Sequence, residues 1–267
     1  MVDPAWLAAE RHAVVLADVR WYLDGRPGRA AYEADHLPGA IFVDLEAQLS
    51  GPDGPDRGRH PLPEPDAFAA AMTSLGIGDD VPVVAYDDQG GVVAARLVWM
   101  LRVLDHPAAL LDGGLEAGKG AIEPPGRSVA RRTFTPRPWP AARLAGIAEA
   151  SDRANVVLDA RARARFRGDE EPVDHRAGHI PGARSAPCHE NLGADGRFLP
   201  VDQRRRRFVA AGVGVGASVV AYCGSGVSAC HDLLALEHAG LGLGRLYPGS
   251  WSHYSQVLDR PVATGEG

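Results

Sequence analysis

Short apolar runs rich in β-branched residues recur along the chain and alternate with longer stretches of mixed character. Val14-Val15-Leu16-Ala17, Val83-Val84-Ala85-Tyr86, Val156-Val157-Leu158 and Val219-Val220-Ala221-Tyr222 are almost wholly apolar, as strands covered on both faces must be. Between such runs lie stretches of helical composition, among them Ala94 to Leu104 and Ala229 to Ala239. Strand–helix alternation of this kind predicts an α/β fold in which mostly parallel sheets are flanked by helices on both faces.

The pattern occurs twice. Val14 to Arg20, ending Asp18-Val19-Arg20, answers to Val156 to Arg161, ending Asp159-Ala160-Arg161. Asp35-His36-Leu37-Pro38-Gly39-Ala40 is followed by its counterpart Gly178-His179-Ile180-Pro181-Gly182-Ala183, each a turn signal before a further strand. Val83 to Asp87 then matches Val219 to Cys223, and Leu111-Asp112-Gly113-Gly114-Leu115 matches Leu246-Tyr247-Pro248-Gly249-Ser250. Matches kept in one order indicate a duplicated unit rather than shared composition. The predicted division is a first domain over 1–118, a Pro-rich connection over 119–143 and a second domain over 144–267. Pro124-Pro125-Gly126 and Pro136-Arg137-Pro138-Trp139-Pro140 stiffen the connection.

The two copies differ at one chemically decisive position. Cys223 opens Cys223-Gly224-Ser225-Gly226-Val227-Ser228-Ala229 between a predicted strand and a predicted helix, where the first copy has Asp87. Loops at strand ends face the crevice of an α/β sheet, and helix N-termini offer unpaired N–H groups that favour an anion such as a thiolate. A cysteine so placed is a candidate nucleophile, whereas a carboxylate cannot do thiolate chemistry. The first copy also carries about six extra residues around Gly51 to His60, a polar loop of the sort that a rigid scaffold aims at a site.

Composition narrows the chemistry without naming it. The chain has 267 residues, 45% hydrophobic and 23% charged, with a net charge of −6, so it can bury a core and has no general attraction to nucleic acid or acidic membrane. Cys188, Cys223 and Cys230 are too few for a disulfide scaffold and show no metal-ligand spacing. With no signal-peptide pattern and no long apolar span, the expectation is a soluble cytoplasmic protein that uses neither metal nor cofactor.

Over essentially the whole chain the sequence resembles the two-domain rhodanese family of sulfurtransferases. The loop at 223–229 is similar to that of the 3-mercaptopyruvate sulfurtransferases, and supporting matches are Trp21-Tyr22-Leu23, Asp112-Gly113-Gly114, Arg165-Phe166 and Gly249-Ser250-Trp251. The resemblance implies two tandem rhodanese-like domains and an enzyme in which Cys223 takes sulfur from a small anionic donor as a persulfide. A thiol, thioredoxin or cyanide then accepts it. It implies that Arg165 binds the donor's carboxylate, that Gly224, Gly226, Val227 and Ser228 line the loop, and that Ser225, His60 and Glu46 share proton transfer. Val173 stands where mercaptopyruvate enzymes usually have a second arginine. Arg176 and Arg184 are therefore candidate substitutes, and thiosulfate is an alternative donor.

Two competing classes are weaker. Ala229 stands where a phosphatase of related fold needs an arginine to hold the transferring phosphoryl group. A non-enzymatic sulfur-sensing module does not require the intact loop together with Arg165. The run Arg204-Arg205-Arg206-Arg207 reads as a solvated helix face, since adjacent helical positions point in different directions.

Overall fold

The computed structural model describes residues 1–120 and 132–266. The Pro124-Pro125-Gly126 part of the expected connection lies outside the described residues. Compactness separates two units. The first comprises Met1–Gly51, Pro63–Trp139 and Ala194–Phe198, and the second Pro52–Leu62, Pro140–Gly193 and Leu199–Gly267. The polar loop of the first repeat thus groups with the second unit, which carries Cys223.

The first unit holds a parallel sheet of β1 (Val15–Asp18), β2 (Ile41–Phe42), β3 (Val83–Tyr86) and β4 (Ala108–Leu110) in the order β2-β1-β3-β4. β3 is buried along its length, which accounts for its continuous apolar run. The helix Ala94–Val103 follows it and is also buried almost throughout, including Arg96. At the N-terminus, Asp3 caps the helix Pro4–Glu10 by accepting from the Trp6 N–H at 2.7 Å.

The second unit repeats the arrangement with β5 (Val156–Asp159), β6 (Arg184–Ser185), β7 (Val219–Tyr222) and β8 (Arg245–Leu246) in the order β6-β5-β7-β8, all parallel. After β5 the chain turns to one side to form β6 and then crosses to the other side to form β7. Loops leaving the carboxyl ends of β5 and β7 therefore diverge and open a crevice. Cys223 directly follows β7, and Arg161 follows β5 by two residues.

Duplication extends to the side chains. Arg20 chelates Asp18 through Nε at 3.0 Å and Nη2 at 2.8 Å, and Arg161 does the same to Asp159, with Nη2 at 2.7 Å. The Tyr86 hydroxyl accepts from Leu37 N–H at 2.9 Å, as that of Tyr222 does from Ile180 N–H at 3.2 Å. The fourth sequence match needs a shift of one residue. Leu110 pairs with Ala85 and Leu246 with Ala221, so Gly114 corresponds to Ser250. Both have positive φ, 57° and 51°. The sequence misleads here because Ser250 occupies a backbone conformation that favours glycine.

At the Cys223-equivalent position, Asp87 is fully buried and its carboxylate accepts four backbone N–H groups, from Gln89, Gly91, Val93 and Ala94, at 2.7–2.9 Å. Burial pushes this carboxyl up, against the pull of the four amides. The strand-to-helix turn is thus a cradle of amides around one acidic atom group. Asp87→Ala leaves those donors unpaired at about 1–3 kcal/mol each. Chemical denaturation is expected to register a loss above about 3 kcal/mol; a loss under about 1 kcal/mol would contradict the cradle.

Candidate active site

Cys223 is 2% exposed, and its Sγ accepts the Gly226 N–H at 3.1 Å. The loop must fold back sharply to bring that amide to the sulfur. Gly226 does so at φ 79°, where an added Cβ would lie 2.7 Å from the Pro248 carbonyl oxygen. No side chain fits there, which explains this glycine.

The segment after β8 holds the loop from below. Cys223 N–H donates to Ser250 Oγ at 3.1 Å, and that hydroxyl donates to the Tyr247 carbonyl at 2.9 Å. Trp251 N–H reaches the Cys223 carbonyl at 2.9 Å, and Ser252 N–H the Gly224 carbonyl at 2.8 Å. Ser250 therefore tolerates its positive φ in return for a hydroxyl that glycine lacks, and the Gly249-Ser250-Trp251 motif is a clamp on the cysteine loop.

Ser225 and His60 come together. Ser225 Oγ lies 2.8 Å from His60 Nδ1, and the two residues are 7% and 3% exposed. The resemblance had joined this pair, which local pattern does not report because His60 belongs to the polar loop of the first repeat. Glu46, the third member of the expected relay, is exposed in the first unit, where its carboxylate accepts from Trp21 Nε1 at 3.1 Å.

Arg165 stands beside the loop. A Cβ at Gly224 would lie 3.5 Å from its Nη1 and 3.8 Å from its Nη2. Its Nη2 donates to Glu171 Oε1 at 2.6 Å and to Asp174 Oδ2 at 3.0 Å. Glu171 also receives the Val173 and Asp174 N–H groups, so the Glu-Pro turn itself fixes the acids that hold Arg165. Val227 and Ser228 lead into the helix Ala229–His238, their carbonyls accepting from Cys230 and His231 N–H at 3.1 Å.

The two substitute arginines are corrected by the structure. The Arg176 guanidinium donates to the carbonyls of Tyr254, Ser255, Val257 and Arg260 at 2.8–3.1 Å, so it fastens the C-terminal segment and has no arm left for a donor. Arg184 is exposed and borders a cavity of about 530 Å³ with Arg153, Asn155 and Pro181, at the starting ends of the strands whose finishing ends carry Cys223. Sequence analysis could not separate these from a site arginine, because the alternation of charge looks the same in each. The residue it missed is Arg59, whose Nη2 comes within 3.2 Å of the same Gly224 Cβ position.

In the Arg204–Arg207 run, Arg205 and Arg206 are exposed as a solvated face requires, and the other two depart from it. Arg204 is 2% exposed and bonded to the Leu199 carbonyl and His238 Nδ1, while Arg207 reaches Asn191 Oδ1 and the Pro187 carbonyl, both at 2.6 Å. Asn191 in turn donates to Asp232 Oδ1 at 2.7 Å. Burial pushes the Cys188 thiol well up, which favours its neutral form. Cys230 is buried and donates to the Gly226 carbonyl at 3.3 Å.

A parallel α/β sheet with an amide-held cysteine at a strand end, a buried Ser–His pair and an adjacent arginine is an arrangement chemically suited to thiol-dependent group transfer. Comparison with known proteins agrees. The description "Rhodanese-like domain" matches residues 3–121 and again 144–256, and the chain belongs to the rhodanese family of sulfurtransferases. It is 45% identical to a probable 3-mercaptopyruvate sulfurtransferase of Pseudomonas aeruginosa, over 95% of this chain and 93% of that one. It is 41% identical to a putative thiosulfate sulfurtransferase of Mycobacterium tuberculosis, over 94% and 91%. Among solved structures it is similar to 3-mercaptopyruvate sulfurtransferase from Leishmania major, with a TM-score of 0.84, 32% identity and coverage of 98% of this chain and 75% of that one. Among the described residues no helix is long and apolar enough to cross a membrane.

Asp232 supplies a pH test of the packing behind the loop. It is buried on the helix Ala229–His238, its Oδ2 lacks a partner among the described residues, and burial pushes its carboxyl up to about 7, opposed by nearby Arg207. The unfolded value is about 4. A raised folded value means that the contribution to stability is complete below about 4 and is lost as pH climbs toward 7. Asp232→Asn is expected to flatten the fall in Tm between pH 5 and 8, read by thermal melts. Parallel wild-type and variant curves would contradict this.

Proposed function

We propose that the protein moves a sulfur atom from a small anionic donor, 3-mercaptopyruvate, to a thiol, thioredoxin or cyanide, carrying it as the sulfane sulfur of a Cys223 persulfide. The observation that carries this reading is the Gly226 N–H on Cys223 Sγ with the Arg165 guanidinium beside Gly224. An amide aimed at sulfur favours negative charge there, and a planar guanidinium fork suits a carboxylate.

In the first half-reaction the Cys223 thiolate attacks the mercapto sulfur, and the S–S bond forms as the S–C bond breaks. The leaving carbon departs as the pyruvate enolate. It takes up the proton that the mercapto group gives up, leaving pyruvate and the Cys223 persulfide anion. Ser225, with His60 at 2.8 Å behind it, is placed to carry that proton. In the second half-reaction a thiolate or cyanide attacks the outer sulfur, the S–S bond breaks, and Cys223 returns as thiolate. Thiosulfate loads the same cysteine by release of sulfite and is the second donor to assay, favoured by the likeness to a relative of that name.

Intact-mass analysis after exposure to 3-mercaptopyruvate is expected to find one added sulfur atom on Cys223, absent from Cys223→Ser. His60→Ala is expected to lower kcat by at least about 100-fold while the adduct site stays Cys223. No adduct and no product with either mercaptopyruvate or thiosulfate would reject the proposal, and wild-type turnover in His60→Ala would remove the proton path.

A further inference from the structure

In the second unit Cys223 follows the finishing end of β7, and a separate cavity opens at the starting ends of the strands. Its volume is about 530 Å³, within the range of small-molecule sites. The whole of its lining belongs to the second unit.

Two guanidinium groups border this cavity without a partner. Arg153 and Arg184 are exposed, and neither side chain has a hydrogen-bond acceptor, an ion pair or a ring contact among the described residues. Other arginines of this unit are taken: Arg161, Arg163 and Arg165 by carboxylates, Arg176 by carbonyls, Arg245 by Asn155 Oδ1 and Arg260 by Ser151 Oγ. The one carboxylate among the described wall residues, Asp152, accepts the Ala154 N–H at 2.9 Å. Charge at the rim is therefore positive on balance.

The Pro181-Gly182-Ala183 turn gathers the two cations at one edge. Arg153 Nε lies 4.0 Å from the position of a Cβ at Gly182, two residues before Arg184. The first repeat fills the corresponding region differently. Ile41 stands in β2 where Arg184 stands in β6, and Arg11 is 5% exposed, donating to the Val14 and Pro38 carbonyls.

His179 supplies a second unfilled group. It is fully buried, and its Nδ1 lies 2.7 Å from the Phe166 carbonyl oxygen. A carbonyl only accepts, so Nδ1 carries the proton and Nε2 presents a lone pair. Burial pushes the pKa of this imidazole down, which favours that neutral form. Nε2 has no partner among the described residues, and His179 borders the cavity. A buried acceptor without a donor is costly, and a ligand hydroxyl would complete it. The helix Val201–Ala210 also ends here, at Ala211 and Gly212, and a helix C-terminus leaves carbonyls for outside donors.

A carboxylate fills one guanidinium fork, whereas a phosphate monoester brings about two negative charges and three acceptor oxygens. That suits two arginines. We propose that this cavity binds a small hydroxylated phosphate monoester, its phosphate held between Arg153 and Arg184 and a hydroxyl donating to His179 Nε2, at the opposite end of the strands from the cysteine loop. The site stands independently of the sulfurtransferase reading.

The test follows backbone ¹H–¹⁵N resonances of the full chain during titration with glucose 6-phosphate, inorganic phosphate and glucose, in wild type, Arg153→Gln and Arg184→Gln. Glucose 6-phosphate is expected to shift Gly182 and Gly212 of the wild type saturably, with a Kd at or below about 1 mM and at least about tenfold below that of inorganic phosphate. Glucose is expected to leave both resonances in place. Each variant is expected to weaken binding of glucose 6-phosphate at least about tenfold, while Gly224 and Gly226 keep their wild-type positions. Both side chains are exposed and unpartnered, so neither substitution removes a contact that the fold uses; if one variant still fails to fold, the other decides. Shifts confined to Gly224 and Gly226 would move the anion to the cysteine loop and overturn the proposal. Absence of saturation, equal affinity for inorganic phosphate, equal shifts by glucose, or affinity unchanged in a folded variant would overturn it as well.

Discussion

Backbone N–H groups turned inward at the end of a central strand are the interaction on which the site is built. In the first repeat they close on the Asp87 carboxylate, which accepts four of them. In the second the equivalent atom is the Cys223 sulfur, and Gly226 supplies the amide. A turn that satisfies its amides with an internal carboxylate is complete and inert. Replacing that carboxylate with one sulfur frees the same geometry for an atom that gains and loses a partner. Duplication thus produced a closed and an open version of one anion cradle.

Much of this was legible in the chain before any coordinates. Continuous apolar runs gave away the buried parallel strands, because a strand covered on both faces has no polar side to show. The Asp–x–Arg endings and the His–x–Pro–Gly–Ala turns located the repeat, and Cys223 against Asp87 set the two copies apart. Partnership between distant positions was legible only through the resemblance, which joined His60 and Ser225 across 165 positions of sequence; nothing in local pattern reports such a pairing. Charge was the least readable property. Arg59, Arg165, Arg176 and Arg184 look alike as letters, yet one clamps carbonyls, one faces solvent and two converge on Gly224. Only the acceptors around each side chain distinguish them.

The arginines and acids around β5 form a graded network rather than a set of separate pairs. Arg161 chelates Asp159 and donates to Glu171 at 3.1 Å, and it lies 4.7 Å over the Trp251 ring. Glu171 holds Arg165, and Asp174 links Arg165 to Arg59. Acids match bases along this chain until its last members, where donors outnumber acceptors. Even when paired, buried charge of this kind contributes little net stability, and each of these arginines keeps an acid partner. The same elements that fix the sulfur, Ser250 and Ser252, fix Arg59, so nucleophile and charge are positioned by one rigid segment.

The central claim is that the Gly226 amide bears directly on the sulfur of Cys223. The most direct measurement is the ¹H–¹⁵N resonance of Gly226 in the free protein and in Cys223→Ala. The account predicts a large upfield proton shift and faster amide exchange when the sulfur acceptor is removed. A Gly226 resonance unchanged in position and protection would contradict it.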